Sequence, residues 1–138
     1  MPSSQSGLGV VLIDDHELVR AALRTVLEDA GVEISAEASN GEEGIRVSAE
    51  TRPDVILLDL SMPDLSGVEV TRRLASEVPG SRVLVFTGSA EEHDVRDAIA
   101  AGASGYLLKD ADPEEIVEAV RAAAAGATKI APKGTRSG

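Results

Sequence analysis

The feature of this sequence that most constrains its fold is a fivefold alternation of short apolar runs with longer amphipathic stretches. The first run, Leu8–Ile13, is almost entirely apolar and ends abruptly in Asp14-Asp15, as expected for a strand buried on both faces. A stretch of helical composition follows each run, so the chain repeats a strand–helix unit. The further predicted strands are Val32–Ala38, Val55–Leu60, Arg82–Phe86 and Gly105–Leu108.

The amphipathic stretches carry the start and stop signals of helices. The first, Glu17–Ala30, is followed by Gly31, which suits a left-handed residue after a helix. Its predicted apolar face holds Leu18, Ala21, Ala22, Thr25 and Val26. The other helices begin at a side-chain oxygen that can cap free N–H groups, with Glu three residues later: Asn40/Glu43, Ser66/Glu69, Ser89/Glu92 and Asp112/Glu115.

This order of elements predicts an α/β fold with a five-stranded, doubly wound parallel sheet, the flavodoxin-like (βα)5 three-layer sandwich. The 138 residues fit one domain, and 43% hydrophobic residues suffice for its core. We expect residues 8–126 to form that domain, with a flexible tail at 1–7 and a tail or linker at 127–138. The absence of cysteine excludes disulfide scaffolds and thiol catalysis.

Charge and aromatic content narrow the function classes. The 13 basic and 24 acidic residues give a net charge of −11, which opposes binding to nucleic-acid phosphates. The aromatic residues are Phe86 and Tyr106, too few for a base-stacking surface. The start of the chain does not resemble a signal peptide, and no apolar run reaches membrane-spanning length. We therefore expect a cytoplasmic protein with no membrane contact.

Polar residues stand where the predicted strands end: Asp14, Asp15, Asp59, Thr87 and Lys109. The carboxyl ends of parallel strands meet at one edge of a sheet, and ligands bind there where the strand order reverses. Three carboxylates at this edge would repel one another unless a cation lay between them. Mg²⁺ suits such a site because it prefers oxygen ligands and commonly binds carboxylates together with a phosphate oxygen.

These residue types also suit phosphoryl transfer. A carboxylate can attack phosphorus to form an aspartyl phosphate, and Thr87 and Lys109 are suitable donors to the phosphoryl oxygens. Gly88 leaves the approach to the site open because it has no side chain. Each residue also has an ordinary role open to it: Asp15 as a helix cap, Thr87 as a strand residue, Lys109 as a solvated lysine. Their joint occurrence at the strand ends favours the phosphoryl site.

Four segments together make the chain similar to the receiver domain of bacterial two-component response regulators over about residues 8–126. The segments are Val11–His16, Asp59–Gly67, Phe86–Gly88 and Gly105–Asp110. The resemblance implies that Asp59 accepts a phosphoryl group from a phosphohistidine of a partner sensor histidine kinase. It also implies Mg²⁺ as the cofactor, with ligands from Asp14, Asp15, Asp59 and the backbone carbonyl of Ser61.

The resemblance further implies a conformational switch. Thr87 and Lys109 would move toward the phosphoryl group, and Tyr106 would change orientation as Thr87 moves. Without that switch, Tyr106 is simply a half-buried tyrosine with its hydroxyl in water. The changed surface would be formed by helix 90–101, the fifth strand and helix 112–126, where family members commonly form homodimers or contact effectors.

The amino-acid sequences of the first and last of these segments resemble those of the NarL/LuxR-type subgroup. Receivers of that subgroup precede a helix-turn-helix output module. Residues 127–138 are too few for that module, so DNA would be bound only through an output domain not present here. The chain is then either the receiver part of a longer transcription regulator or a stand-alone regulator acting by protein contact. A receiver regulated without phosphate also stays open.

An enzymatic alternative is a phosphatase that forms an aspartyl phosphate. Phosphatases of the haloacid-dehalogenase type need a second aspartate two positions after the first, where this chain has Ser61. We therefore expect a signalling domain that catalyses only its own phosphoryl transfer and dephosphorylation. His16 adjoins the acidic pocket and is interpreted as a solvent-exposed loop residue. Asp110 stands where many receivers have proline, so a trans Lys109–Asp110 peptide is expected.

Overall fold

The structure, a computed structural model, describes residues 7–88 and 92–126. Strands and helices alternate in this part of the chain, and the five strands form one parallel sheet in the order β2-β1-β3-β4-β5. The predicted fold class is confirmed. The elements are β1 Gly9–Ile13, α1 Glu17–Asp29, β2 Glu33–Ala38, α2 Gly41–Thr51, β3 Val55–Asp59, α3 Gly67–Glu77, β4 Arg82–Thr87, α4 Glu92–Ala101, β5 Gly105–Leu108 and α5 Pro113–Ala124.

The strand order reverses at the middle of the sheet. β1 pairs with β2 on one side and with β3 on the other, in a register that sets Leu12 beside Leu57 and Ile13 beside Leu58. Every residue of β1 and β3 is buried, which agrees with their nearly continuous apolar sequences. In sheets of this kind ligands bind beyond the carboxyl ends of the strands at such a reversal.

Two apolar layers cover the sheet. Alternate strand residues, such as Leu12 and Leu57, pack under α1 and α5, while Ile13 and Leu58 pack under α2, α3 and α4. Each fully buried aliphatic side chain of this size contributes about 1.5–3 kcal/mol. The layers hold the central strands rigidly and so fix the positions of the residues at their ends.

Side-chain caps begin three of the helices as predicted. Asn40, Ser66 and Asp112 each accept a hydrogen bond from the backbone N–H three residues later. At α5 the bond is reciprocal, because the Glu115 side chain accepts from the Asp112 N–H at 3.0 Å. The predicted Ser89 cap of α4 lies outside the described residues.

The predicted apolar face of α1 is wrong at Leu18, which is 85% exposed, and at Ala22 and Thr25, which are also exposed. The helix instead buries Leu23 and Leu27, with Val19 and Val26 packed against the same core cluster. These four positions follow the helical spacing of i, i+4, i+7 and i+8. Two overlapping apolar faces are compatible with the sequence of α1. The buried face is the one that carries more of the large aliphatic side chains.

Strand limits differ from the predicted ones by a residue. β2 begins at Glu33, β3 ends at Asp59, and β4 extends to Thr87 because the Thr87 carbonyl accepts from the Lys109 N–H at 2.7 Å. The part of the chain that the structure describes has no cis peptide bond, so the Lys109–Asp110 peptide is trans, as expected.

Candidate functional site

The predicted site residues lie together at the carboxyl edge of the sheet. Asp14 follows β1, Asp59 is the last residue of β3, and Lys109 follows β5. Parallel pairing brings these ends to one edge. Ligand atoms of Asp14, Asp15, His16 and Asp59 all lie within 4.8 Å of one another.

The two inner carboxylates are buried, and each has one satisfied oxygen. Asp14 and Asp59 are both 2% exposed. Asp14 Oδ1 accepts from the His16 N–H at 2.8 Å, and Asp59 Oδ1 accepts from the Ser61 N–H at 3.0 Å. Among the residues with described positions, neither Oδ2 atom has a hydrogen-bond partner. Burying charge in this way is costly, so these oxygens are suited to an incoming cation or phosphoryl group.

Among the described residues, Lys109 forms ion pairs with both of these carboxylates. Its Nζ lies 3.3 Å from Asp59 Oδ2 and 4.0 Å from Asp14 Oδ2, and its side chain is 26% exposed. The contact between Lys109 Nζ and Asp59 Oδ2 is an ion pair. Lys109 Nζ is also 6.0 Å from the centre of the Phe86 ring. Lys109 therefore offsets part of the negative charge of the site.

Burial raises the pKa of Asp59 above the usual value of an aspartate. The negative charge of Asp14 acts in the same direction. The Ser61 N–H bond and the positive charge of Lys109 oppose the rise but do not cancel it. Burial therefore makes the charged form of Asp59 less favourable than that of an exposed aspartate.

His16 stands at the mouth of the site. Its Nδ1 lies 3.2 Å from a carboxylate oxygen of Asp14, 3.2 Å from one of Asp15, and 3.7 Å from Asp59 Oδ2. The side chain is 59% exposed, so its interpretation as an exposed loop residue agrees with the structure. Sequence reasoning missed its contact with the three carboxylates, although its position directly after Asp14-Asp15 was a signal. The N-cap residue of α1 is His16, so Asp15 does not have the helix-capping role that its sequence position left open.

The donor set fits a hard divalent cation. Asp14, Asp15 and Asp59 offer carboxylate oxygens, and two of these oxygens are buried without hydrogen bonds to the described residues. Ions such as Mg²⁺ prefer oxygen ligands of this kind. Ser61, whose carbonyl was the fourth expected ligand, is tied to the site through its N–H bond to Asp59.

The remaining predicted residues lie on β4, on β5 and directly after β4. Thr87 ends β4 and pairs with Leu108 of β5. Gly88 is exposed, and the space where a Cβ would stand is open. Tyr106 is partly buried and packs against the core layer under α2, α3 and α4. The switching roles of Thr87 and Tyr106 stay predictions.

Two contacts at the site were not predicted from the sequence. Arg20 of α1 donates to the backbone carbonyl of Asp14 at 2.6 Å and to the Glu37 carboxylate at 3.0 Å. Asp64, in the loop after β3, accepts from the N–H groups of Gly41 and Glu42 at 2.8 and 3.0 Å. Both contacts join distant segments through side chains, and the only local signal was the presence of charged residues near a strand end.

Comparison with known proteins places the chain in a family. Residues 10–121 match the response regulator receiver domain family. The nitrate/nitrite response regulator protein NarL of Escherichia coli (strain K12) is 42% identical over 125 residues, which are 90% of this chain and 58% of that protein. The transcriptional regulatory protein LiaR of Bacillus subtilis (strain 168) is also 42% identical over 125 residues, 90% of this chain and 59% of that protein.

A solved structure gives the same result for the fold. The signal receiver domain of the putative response regulator NarL from Mycobacterium tuberculosis superposes with a TM-score of 0.83 at 37% identity, covering 86% of this chain and 97% of that one. The chain spans a little under three-fifths of the length of the two curated relatives. None of the described helices is long and apolar enough to cross a membrane. The chain belongs to the response regulator receiver domain family, and its relatives are regulators of the NarL/LuxR type.

Proposed function

We propose that this receiver works as a phosphorylation-dependent switch of a two-component system and that Asp59 is its phosphoacceptor. One observation carries the assignment. Asp59 Oδ2 is buried at the carboxyl edge of the sheet, has no hydrogen-bond partner among the described residues, and lies 3.3 Å from the ammonium group of Lys109. A nucleophile and a cation for the phosphoryl oxygens thus stand side by side.

In the proposed reaction, Asp59 Oδ2 attacks the phosphorus of a phosphohistidine on a sensor histidine kinase. The new O–P bond forms as the P–N bond breaks, and the imidazole nitrogen keeps the electron pair of the broken bond. The product on this chain is an acyl phosphate. Lys109 pairs with a phosphoryl oxygen, and the Thr87 hydroxyl supplies a second donor. We propose a signalling domain that catalyses only its own phosphoryl transfer and dephosphorylation.

Mg²⁺ is the proposed cofactor, held by Asp14, Asp15, Asp59 and the Ser61 carbonyl. When bound, it supplies the positive charge that the clustered carboxylates and the phosphoryl oxygens require. The buried carboxylate oxygens without hydrogen bonds support this assignment. Lys109 alone provides one positive charge against the acidic group.

The proposed output is a change in the surface formed by α4, β5 and α5. Tyr106 lies half-buried on β5 and is the proposed reporter of Thr87 movement. In this proposal the surface forms a homodimer or controls a DNA-binding output domain. The relative LiaR is named as a transcriptional regulatory protein, which supports a transcriptional output. The proposed phosphoacceptor unit is residues 8–126, acting in the cytoplasm. A stand-alone regulator that acts by protein contact is the alternative.

Intact-mass measurement after incubation with Mg²⁺ and acetyl phosphate tests the proposal. We expect a hydroxylamine-labile gain of one phosphoryl group that is abolished by chelator. Asp59→Asn should gain nothing. Asp54→Asn is the matched control, because Asp54 precedes the same strand at the opposite edge of the sheet, and it should gain mass like the parent. An equal gain in Asp59→Asn would assign the phosphoacceptor elsewhere.

A further inference from the structure

The guanidinium group of Arg20 connects three elements behind the acidic site. Its Nη1 donates to the backbone carbonyl of Asp14 at 2.6 Å, and its Nε donates to Glu37 Oε1 at 3.0 Å. Arg20 belongs to α1, Asp14 follows β1, and Glu37 lies on β2. The Arg20 side chain is only 18% exposed, so both bonds are largely shielded from water.

The hydrogen bond from Arg20 to the Asp14 carbonyl restricts the backbone of both Asp14 and Asp15. A peptide unit is planar, so fixing the Asp14 carbonyl oxygen also fixes the orientation of the peptide bond that joins Asp14 to Asp15. The Asp14 N–H is held independently, because it donates to the Ala38 carbonyl at 3.0 Å. With both sides of the Asp14 backbone tied, the directions in which the carboxylates of Asp14 and Asp15 leave the chain are restricted.

Glu37 keeps Arg20 in place. Its second carboxylate oxygen accepts from Arg24 Nη1 at 2.5 Å, so Glu37 is held between two arginines of the same helix. Charge-assisted bonds of this kind are stronger than neutral ones. Arg24 shares the ion pair with Glu37, and the bond to the Asp14 carbonyl comes from Arg20. The two arginines therefore provide a matched pair for experiment.

We infer that Arg20 is a positioning residue for the metal site, acting through the Asp14–Asp15 peptide and touching neither the metal nor the phosphoryl group. The inference rests on the proposed function in one respect, since it takes these carboxylates to be ligands of Mg²⁺. Groups that orient metal ligands typically change metal affinity by about 10–100-fold when removed.

The direction of the change in Mg²⁺ affinity distinguishes a positioning role of Arg20 from a purely electrostatic one. The positive charge of Arg20 opposes cation binding by simple repulsion, so its removal should tighten Mg²⁺ binding if charge were its whole contribution. Loss of ligand orientation acts in the opposite direction. A weaker affinity after removal of a positive charge therefore identifies positioning.

The test is the Mg²⁺ dissociation constant, measured by isothermal titration calorimetry on the parent, Arg20→Ala, Arg20→Lys and Arg24→Ala. We expect Arg20→Ala to weaken binding by about tenfold. Arg24→Ala should stay close to the parent, because it removes only the shared ion pair. Arg20→Lys should fall between the parent and Arg20→Ala, since an ammonium group cannot reproduce the planar fork that reaches two acceptors.

Unfolding of each variant in chelator separates positioning from a loss of fold. Arg20→Ala should lose more metal-free stability than Arg24→Ala, because it removes a second and more buried hydrogen bond, and under conditions where both variants are folded only Arg20→Ala should weaken Mg²⁺ binding. If Arg20→Ala does not fold, the comparison of Arg20→Lys with Arg24→Ala decides in the same way. Equal or tighter Mg²⁺ binding by the Arg20 variants, or equal weakening in Arg24→Ala, would overturn the inference while leaving the proposed function intact. A parent chain that binds no Mg²⁺ would overturn both.

Discussion

The two ends of strand β3 each carry an aspartate, and the protein treats the two carboxylates differently. At the amino end, Asp54 accepts from the Gly9 N–H at 2.8 Å, and its backbone bonds to Gly9 and Arg82 on both neighbouring strands. At the carboxyl end, Asp59 is buried beside Asp14 with one oxygen that has no hydrogen bond to the described residues.

The difference shows how one strand serves stability at one end and function at the other. Asp54 is exposed, and its backbone and one of its carboxylate oxygens are hydrogen-bonded to the neighbouring strands, so this end contributes to folding. One carboxylate oxygen of Asp59 and one of Asp14 are buried without a hydrogen bond to the described residues, so this end of the strand costs stability. A site of this kind must be held by the rest of the fold.

The largest expected loss of stability comes from a substitution at Gly67, which packs against the backbone just after the carboxyl end of β3. A Cβ added to Gly67 would lie 2.5 Å from the Leu60 Cα, and backbone atoms cannot rotate out of the way. We expect Gly67→Ala to lower the free energy of unfolding by about 2 kcal/mol, as for other overpacked sites. Urea unfolding measures the loss. Gly80→Ala, near the amino end, is the control because its Cβ would meet no atom within 4 Å. Similar losses in both variants would mean that the carboxyl end is not packed more tightly.

The second prediction is that replacing aspartate by asparagine changes stability in opposite directions at the two ends of β3. The raised pKa of Asp59 means that its charge disfavours the folded state at neutral pH, so Asp59→Asn should raise the unfolding temperature in chelator. Asp54→Asn should lower the free energy of unfolding by about 1 kcal/mol, because a neutral acceptor bonds the Gly9 N–H more weakly. Thermal unfolding of both variants at neutral pH gives the comparison. A fall in both would show that Asp59 is stabilised by contacts other than those described.

The smallest expected change in stability concerns Asp64, in the loop after β3. Its carboxylate, like that of Asp54, accepts hydrogen bonds from backbone N–H groups. Hydrogen bonds from the N–H groups of Gly41 and Glu42 lower the pKa of Asp64. Its contribution to stability is therefore complete above the ordinary aspartate pKa and is lost as the pH falls through the lowered pKa of the folded state. Urea unfolding of Asp64→Asn and the parent should show a small deficit at pH 7 that shrinks as the solution is acidified. A deficit independent of pH would contradict the role of the charge.

The features predicted correctly from the sequence are those set by neighbouring residues. Apolar runs located the strands, and the capping oxygens of Asn40, Ser66 and Asp112 located helix starts. The meeting of Asp14, Asp59 and Lys109 at one edge followed from parallel pairing alone, because strands in that arrangement end together.

The features not predicted depend on side chains that cross between elements. The contact of Arg20 with Glu37 requires the register of β1 with β2, which shifts between Val10 and Val11 and brings Glu37 beside Leu12. No local pattern predicts such a shift. The approach of His16 to three carboxylates likewise depends on the direction of one ring, and the exposure of Leu18 on a choice between faces of α1.

The hydrogen bond from the Asp14 N–H to the Ala38 carbonyl extends the β1–β2 ladder past the end of β1. The Asp14 backbone is therefore tied to the sheet and its side chain is buried, whereas Asp15 lies beyond that bond with a side chain 35% exposed. Of the two proposed ligands, Asp14 is thus the better ordered before a cation binds, and the entropy lost on ordering the pair would fall mainly on Asp15.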